Sequence, residues 1–86
     1  MNVDIKKIRI KLDKVDVKLL RVIKERAVLV DQVVKLKKTK KEIVDRQRIN
    51  FILKRIRNYS IKVKIDPMIT VSIWKEMIRA FIEVPL

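Results

Sequence analysis

The amino-acid sequence predicts an all-α protein, and three observations lead to this fold class. The chain has 86 residues, no Gly and two Pro, at positions 67 and 85, so it lacks the residues that tight hairpin turns require. Apolar residues recur at steps of three and four, which is the period of a helix. The 14 Ile and 12 Val supply enough aliphatic surface for a core. We therefore expect a single helical domain over residues 1–86, with one very long helix followed by two shorter ones.

The first predicted helix runs from about Asp4 to Lys38, a stretch without any helix breaker. At about 1.5 Å per residue it is a rod of roughly 50 Å, and the rest of the chain is too short to cover its apolar side. The sequence therefore predicts a homodimer in which the helices of two copies intertwine as a bundle. The apolar stripe consists of Ile5, Ile8, Leu12, Val15, Leu19, Ile23, Val30 and Val33.

A loop and a second helix follow the long helix. The run Lys38–Glu42 is rich in like charges and has no apolar period, which indicates a loop. Asp45 is suited to the N-cap of the second helix, because its carboxylate can accept a hydrogen bond from a free backbone N–H. We expect this helix to begin at Arg46 and to fray in the polar cluster of residues 58–60.

The third helix has a clear start signal. Residues Ile61–Ile65 alternate apolar side chains with Lys, but we assign no strand to them, because a lone five-residue strand would have no partner. Asp66 followed by Pro67 is typical of a helix start, with a capping carboxylate before a Pro in the first turn. We expect the third helix to end at Pro85.

The composition excludes several classes of function. With no Cys and no His, the chain has no disulfides, thiol nucleophiles, ordinary zinc sites or His-based catalytic triads, and with no Gly it has no Gly-rich phosphate loop. We expect no cofactor and no metal. No uncharged stretch approaches the ~20 residues that a membrane span requires. We expect a cytoplasmic protein without a membrane partner, whose Ile- and Lys-rich, Gly-free composition resembles that of heat-adapted proteins.

The charges point to an anionic partner. The 23 Lys and Arg exceed the 10 Asp and Glu by 13, and two of the cations, Arg26 and Lys37, fall on the apolar stripe itself. Long basic side chains can reach past a core to water, but a buried cation without a counter-ion is costly, which favours a site that binds an anion. These two residues lie about 16 Å apart along the axis. Arg9 lies about 25 Å further back, so it can reach the same ligand only from a second copy.

The order and spacing of these residues resemble the all-helical class of chorismate mutase. The resemblance covers nearly the whole chain, and no single motif carries it. In the first helix the matching residues are Arg9 to Leu20, Glu25, Arg26, Val33 and Lys37. In the second and third helices they are Asp45 to Ile49 and Ile65 to Pro67.

The resemblance implies an isomerase of the shikimate pathway, which rearranges the dianion chorismate to prephenate in the synthesis of Phe and Tyr without covalent catalysis. It implies that Arg26, Lys37 and Arg48 are catalytic and that the homodimer shares its active sites, each taking Arg9 from the second subunit. Asp45 would order the start of the second helix and meet the ring hydroxyl through its backbone. The remaining substrate-binding residues that it implies form an apolar lining of Val33, Ile52, Ile78 and Ile82.

Three positions depart from the family pattern. Ile49 replaces a common Glu, Phe81 a small hydroxyl residue, and Pro85 a Gln or Glu that meets the ether oxygen of the substrate. These departures leave open an isochorismate pyruvate-lyase, or a catalytically impaired member of the family that needs a partner. A basic helical dimer that binds nucleic acid is the alternative from another class. The scarcity of stacking residues and the scatter of cations over all three helices argue against it.

Overall fold

The computed structural model describes residues 2–37 and 45–83, which form three helices and no strand. Helix α1 spans Asn2–Leu36, helix α2 spans Arg46–Lys62 and helix α3 spans Pro67–Glu83. The predicted all-α class, with one long helix followed by two shorter ones, is confirmed. The first helix begins and ends two residues earlier than predicted. The predicted loop at Lys38–Glu42 and the predicted stop at Pro85 lie outside the described residues.

Carboxylates cap the starts of α2 and α3 as the sequence predicts. Oδ1 of Asp45 accepts a hydrogen bond from the backbone N–H of Arg48 at 3.0 Å. Oδ1 of Asp66 accepts one from the backbone N–H of Met68 at 2.9 Å. Each bond satisfies an N–H that has no partner inside its helix, which is how an N-cap fixes the start of a helix.

Helix α2 does not fray where the sequence predicts, because the polar cluster there makes a tertiary contact. Ser60 and Thr70 are both buried, at 4% and 8% exposure, and their hydroxyl oxygens lie 2.6 Å apart. The Ser60 hydroxyl also donates to the carbonyl of Ile56, one turn earlier. The paired hydroxyls join α2 to α3 near their connection, so α2 continues to Lys62.

The connection between α2 and α3 closes with a left-handed residue. The N–H of Ile65 donates to the carbonyl of Ser60 at 3.0 Å, and the N–H of Lys64 donates to that of Ile61 at 3.2 Å. This pair of bonds is the Schellman ending of a helix, which places one residue in the left-handed region. Lys64 takes that place, with φ of 64°, at a cost of about 1 kcal/mol because it is not Gly. The alternating segment is therefore a helix end followed by a turn, and the prediction that it is not a strand is confirmed.

The two halves of α1 have different surroundings. The second half lies against α2 and α3, where Ala27 is only 5% exposed. In the first half, every side chain from Asp4 to Val22 is exposed, including the apolar stripe. The longest dimension of the molecule is 56 Å, against 27 and 17 Å in the other two directions. No helix of the described residues is long and apolar enough to cross a membrane.

The exposed stripe predicts that a second copy of the chain packs against it, and substitution of Leu19 tests this prediction. Leu19 is 53% exposed, and Val17, on the opposite side of the helix, is 50% exposed. If the stripe packs against a partner, Leu19→Lys removes a buried Leu at a cost of about 2 kcal/mol per chain. We expect Leu19→Lys to shift the protein toward monomer in analytical ultracentrifugation and to lower its melting temperature. Val17→Lys is the matched control and should change neither measurement; equal behaviour of the two variants would contradict a covered stripe.

Candidate active site

A cavity of about 320 Å³ lies where the three helices meet. The second half of α1, the start of α2 and the last turns of α3 form its walls. The structure brings ten of the twelve site positions named from the sequence into this one cavity. They are Arg26, Val33, Lys37, Asp45, Arg48, Ile49, Ile52, Ile78, Phe81 and Ile82.

Three cations and one carboxylate line the cavity. Arg26 projects from α1, Lys37 stands directly after its last residue, and Arg48 lies in the first turn of α2. Asp45, the N-cap of α2, is the carboxylate. Three positive charges and one negative charge leave a formal charge of +2, which would balance the two negative charges of a small organic dianion.

The cations of the cavity have no ion-pair partner among the described residues. The salt bridges of that part of the chain join Lys35 to Asp31 and Arg79 to Glu76 on the surface. Asp45 directs one carboxylate oxygen to a backbone N–H and makes no ion pair with the cations beside it. The positive charge of the cavity is therefore available to a bound anion.

Burial and like charge both act on Arg26. The side chain is half-buried, and its pKa is lowered from the ordinary value, first by burial and then by the charge of Arg48. An Arg stays protonated at neutral pH in spite of such a shift. The lowered pKa therefore means that the surroundings of Arg26 in the folded protein disfavour its positive charge. The ring of Phe81 lies 5.4 Å from the guanidinium carbon, and this cation–π contact offsets part of the unfavourable energy.

Arg48 occupies a more open position than Arg26. Its side chain is exposed, and its guanidinium lies over the ring of Phe51 at 5.2 Å. Phe51 is on the outer side of α2 and does not line the cavity. Two of the three cations thus lie near an aromatic ring, Arg26 near one that lines the cavity and Arg48 near one outside it.

The remaining wall of the cavity is aliphatic. Val33, Ile52, Ile78 and Ile82 lie there, as the resemblance implies, and Ile49 adds a further aliphatic side chain. The described wall therefore combines cationic and aliphatic side chains. Such a wall suits a ligand whose carboxylates are attached to an apolar ring.

Of the described site positions named from the sequence, one does not line the cavity. Arg9 is exposed on the first half of α1, 17 residues before Arg26, and does not line it. Pro85 lies outside the described residues.

The cavity also includes residues that sequence reasoning did not assign to the site. Val30 lies on the apolar stripe, whereas Leu29 and Val34 flank the stripe on either side. The stripe predicts which side of α1 is covered, but not how wide a gap the three helices leave.

These observations define a class of protein. It is all-helical, and one long and two short helices enclose a cavity lined by cations and aliphatic side chains. The chain belongs to the chorismate mutase type II family, whose model matches residues 8–85. This confirms the family that the motifs indicate. No curated protein and no solved structure matches the chain.

The lowered pKa of Arg26 yields a prediction about stability. Because folding disfavours the charged form of this side chain, removing the charge should stabilise the protein. We expect Arg26→Gln to raise the melting temperature slightly and to remove dianion binding. Lys18→Gln, an exposed position on α1 outside the cavity, should leave the melting temperature unchanged. A lower melting temperature for Arg26→Gln would show that Arg26 supports the fold.

Proposed function

We propose that the chain is a chorismate mutase that converts chorismate to prephenate in the synthesis of aromatic amino acids. One observation carries the proposal: in a chain of this family, three cations without described counter-ions meet an aliphatic wall in a single cavity. Chorismate has the matching chemistry, because it is a dianion whose carboxylates are attached to a ring and to an enol ether. The cavity is large enough for a ligand with one ring.

Two cations of the cavity and one from a second copy hold the carboxylates in this proposal. Arg26 pairs with one carboxylate through its planar guanidinium, which can donate two parallel hydrogen bonds. Lys37 donates to a carboxylate and to the ether oxygen. Arg9 of the partner subunit completes the site, because within one chain Arg9 lies about 25 Å from Arg26 along α1. The active protein is therefore a homodimer with shared sites.

The reaction requires neither a nucleophile nor a proton transfer. The C–O bond of the ether breaks while a C–C bond forms, and the electron pairs move around one six-membered ring of atoms. Negative charge develops on the ether oxygen, where the fixed charge of Lys37 stabilises it. Arg48 stands at the ring side, and Asp45 fixes the start of α2 there through its N-cap bond. The aliphatic wall excludes water and favours the compact chair conformer that reacts.

Two departures from the family pattern place apolar side chains where polar ones are common, and the one at Ile49 also removes a negative charge. Ile49 and Phe81 are apolar where the family commonly has a Glu and a small hydroxyl residue, and both line the cavity. In sequence, Pro85 also stands where the family has a Gln or Glu at the ether oxygen, and loss of one preorganised hydrogen-bond donor at developing charge costs on the order of 10²-fold in rate. We therefore propose a mutase that relies on its cations and on compression of the substrate, with fewer hydrogen bonds to the ring.

Turnover of chorismate tests the proposal directly. We expect purified protein to consume chorismate, followed by ultraviolet absorbance, and to yield prephenate, identified by chromatography. Lys37→Ala should abolish turnover with little change in helix content by circular dichroism, because Lys37 lies beyond the end of α1. Lys54→Ala, an exposed cation of α2 outside the cavity, is the matched control. If folded, dimeric protein leaves chorismate unchanged, the proposal is wrong, and isochorismate is the next substrate to assay.

Mixing two inactive variants tests whether the sites are shared. Arg9→Ala and Lys37→Ala should each be inactive alone. After unfolding and refolding together, a mixed dimer has one site with both an intact Lys37 and the intact Arg9 of the partner subunit. Random pairing then restores about a quarter of the wild-type activity. If Arg9→Ala alone retains full activity, or if the mixture stays inactive while its dimers form, Arg9 does not complete a shared site.

A further inference from the structure

A second cleft, of about 370 Å³, lies between α2 and α3. Arg46, Asn50 and Leu53 line it from α2, and these positions lie on the flank of that helix opposite to Arg48 and Ile52. No residue of α1 contributes to its lining. The cleft therefore faces away from the long helix whose stripe we expect a second copy to cover.

Three isoleucines separate this second cleft from the candidate active site. Ile49, Ile78 and Ile82 line both spaces, and all three are half-buried. Together with Leu53 they give the second cleft an aliphatic floor. A small hydrated ion gains nothing from contact with such a floor. A ring or a branched aliphatic chain would cover the floor and remove its apolar surface from water.

The rim of the cleft is cationic. Arg46 stands at the start of α2, and Lys75 and Arg79 stand on α3. Arg79 is engaged by Glu76 at 2.9 Å, but no described carboxylate lies within ion-pair distance of Arg46 or Lys75. The amide of Asn50 adds a neutral hydrogen-bonding group. The rim thus supplies charge from two helices toward one space.

We propose that this cleft is a second binding site, which takes a small organic anion with one carboxylate attached to an apolar body. The carboxylate lies between Arg46 and Lys75, and the apolar body covers Leu53 and the shared isoleucines. This site is separate from the proposed chorismate site, which contains Arg26, Lys37 and Arg48. Because two rim cations, Arg46 and Lys75, face the ligand of the second site, that ligand needs no second carboxylate.

Methyl NMR separates the two sites, because each has its own reporter. Leu53 lines only the second cleft, and Val33 lines only the candidate active site. The probe is 3-phenylpropionate. Two control compounds are 3-phenylpropanol, which has the same apolar body without the charge, and inorganic phosphate, which has charge without the apolar body. We expect 3-phenylpropionate to shift the Leu53 methyl signals and to saturate. The alcohol and phosphate should each bind at least about tenfold more weakly, since the alcohol lacks the charge-assisted hydrogen bonds and phosphate lacks the apolar body.

Variants assign the binding to its residues. The double variant Arg46→Gln, Lys75→Gln should weaken binding of 3-phenylpropionate by about tenfold or more, and both positions are exposed, so the fold should be retained. Lys54→Gln, a cation of α2 outside the cleft, and Lys37→Ala, in the active site, should leave the Leu53 shifts unchanged. The proposal is overturned if only Val33 shifts, if phosphate binds as well as the carboxylate, or if Lys37→Ala alone removes binding. These results do not depend on chorismate turnover.

Discussion

The long helix cannot bury its own apolar side, and the architecture follows from this constraint. α1 has 35 residues, α2 and α3 have 17 each, and the short pair reaches only the second half of the long helix. Residues from Asp4 to Val22 therefore expose an apolar stripe that no described residue covers. Arg9 lies on this exposed half of α1 and is therefore far from the cavity of its own chain. A second copy that covers the stripe would also bring its own Arg9 toward the cavity, so the packing argument and the proposed function lead to the same proposed dimer.

The pairing of α2 with α3 determines the shape of both cavities. The contact between Ser60 and Thr70 and the left-handed turn at Lys64 fix where the two helices meet. From that end the pair runs toward the start of α2 and the last turns of α3. There Ile49, Ile78 and Ile82 form a partition with one cationic space on each side.

Local signals were sufficient for some features and not for others. The helix starts at Asp45 and Asp66 depend on a carboxylate and an N–H two or three residues away, so the sequence predicts them well. The end of α2 depends on Thr70, ten residues beyond Ser60, and polarity alone wrongly indicated fraying there. For the site, cations on an apolar stripe indicated Arg26 and Lys37, and family spacing indicated Arg48. Leu29 and Val34 were missed because they line the cavity only through the way three helices meet.

The stacking of Arg26 on Phe81 shows how an apolar replacement can serve a charged site. A small hydroxyl residue at position 81 would leave one face of the guanidinium against open space, where burial and the charge of Arg48 already disfavour it. The aromatic ring covers that face at 5.4 Å and favours the cation through its quadrupole. It also restricts the orientation of the planar fork, so less conformational freedom is lost when a carboxylate binds. In the proposed mutase, Phe81 therefore exchanges a hydrogen-bonding group for a better-oriented cation, which is consistent with catalysis that depends on charge and shape.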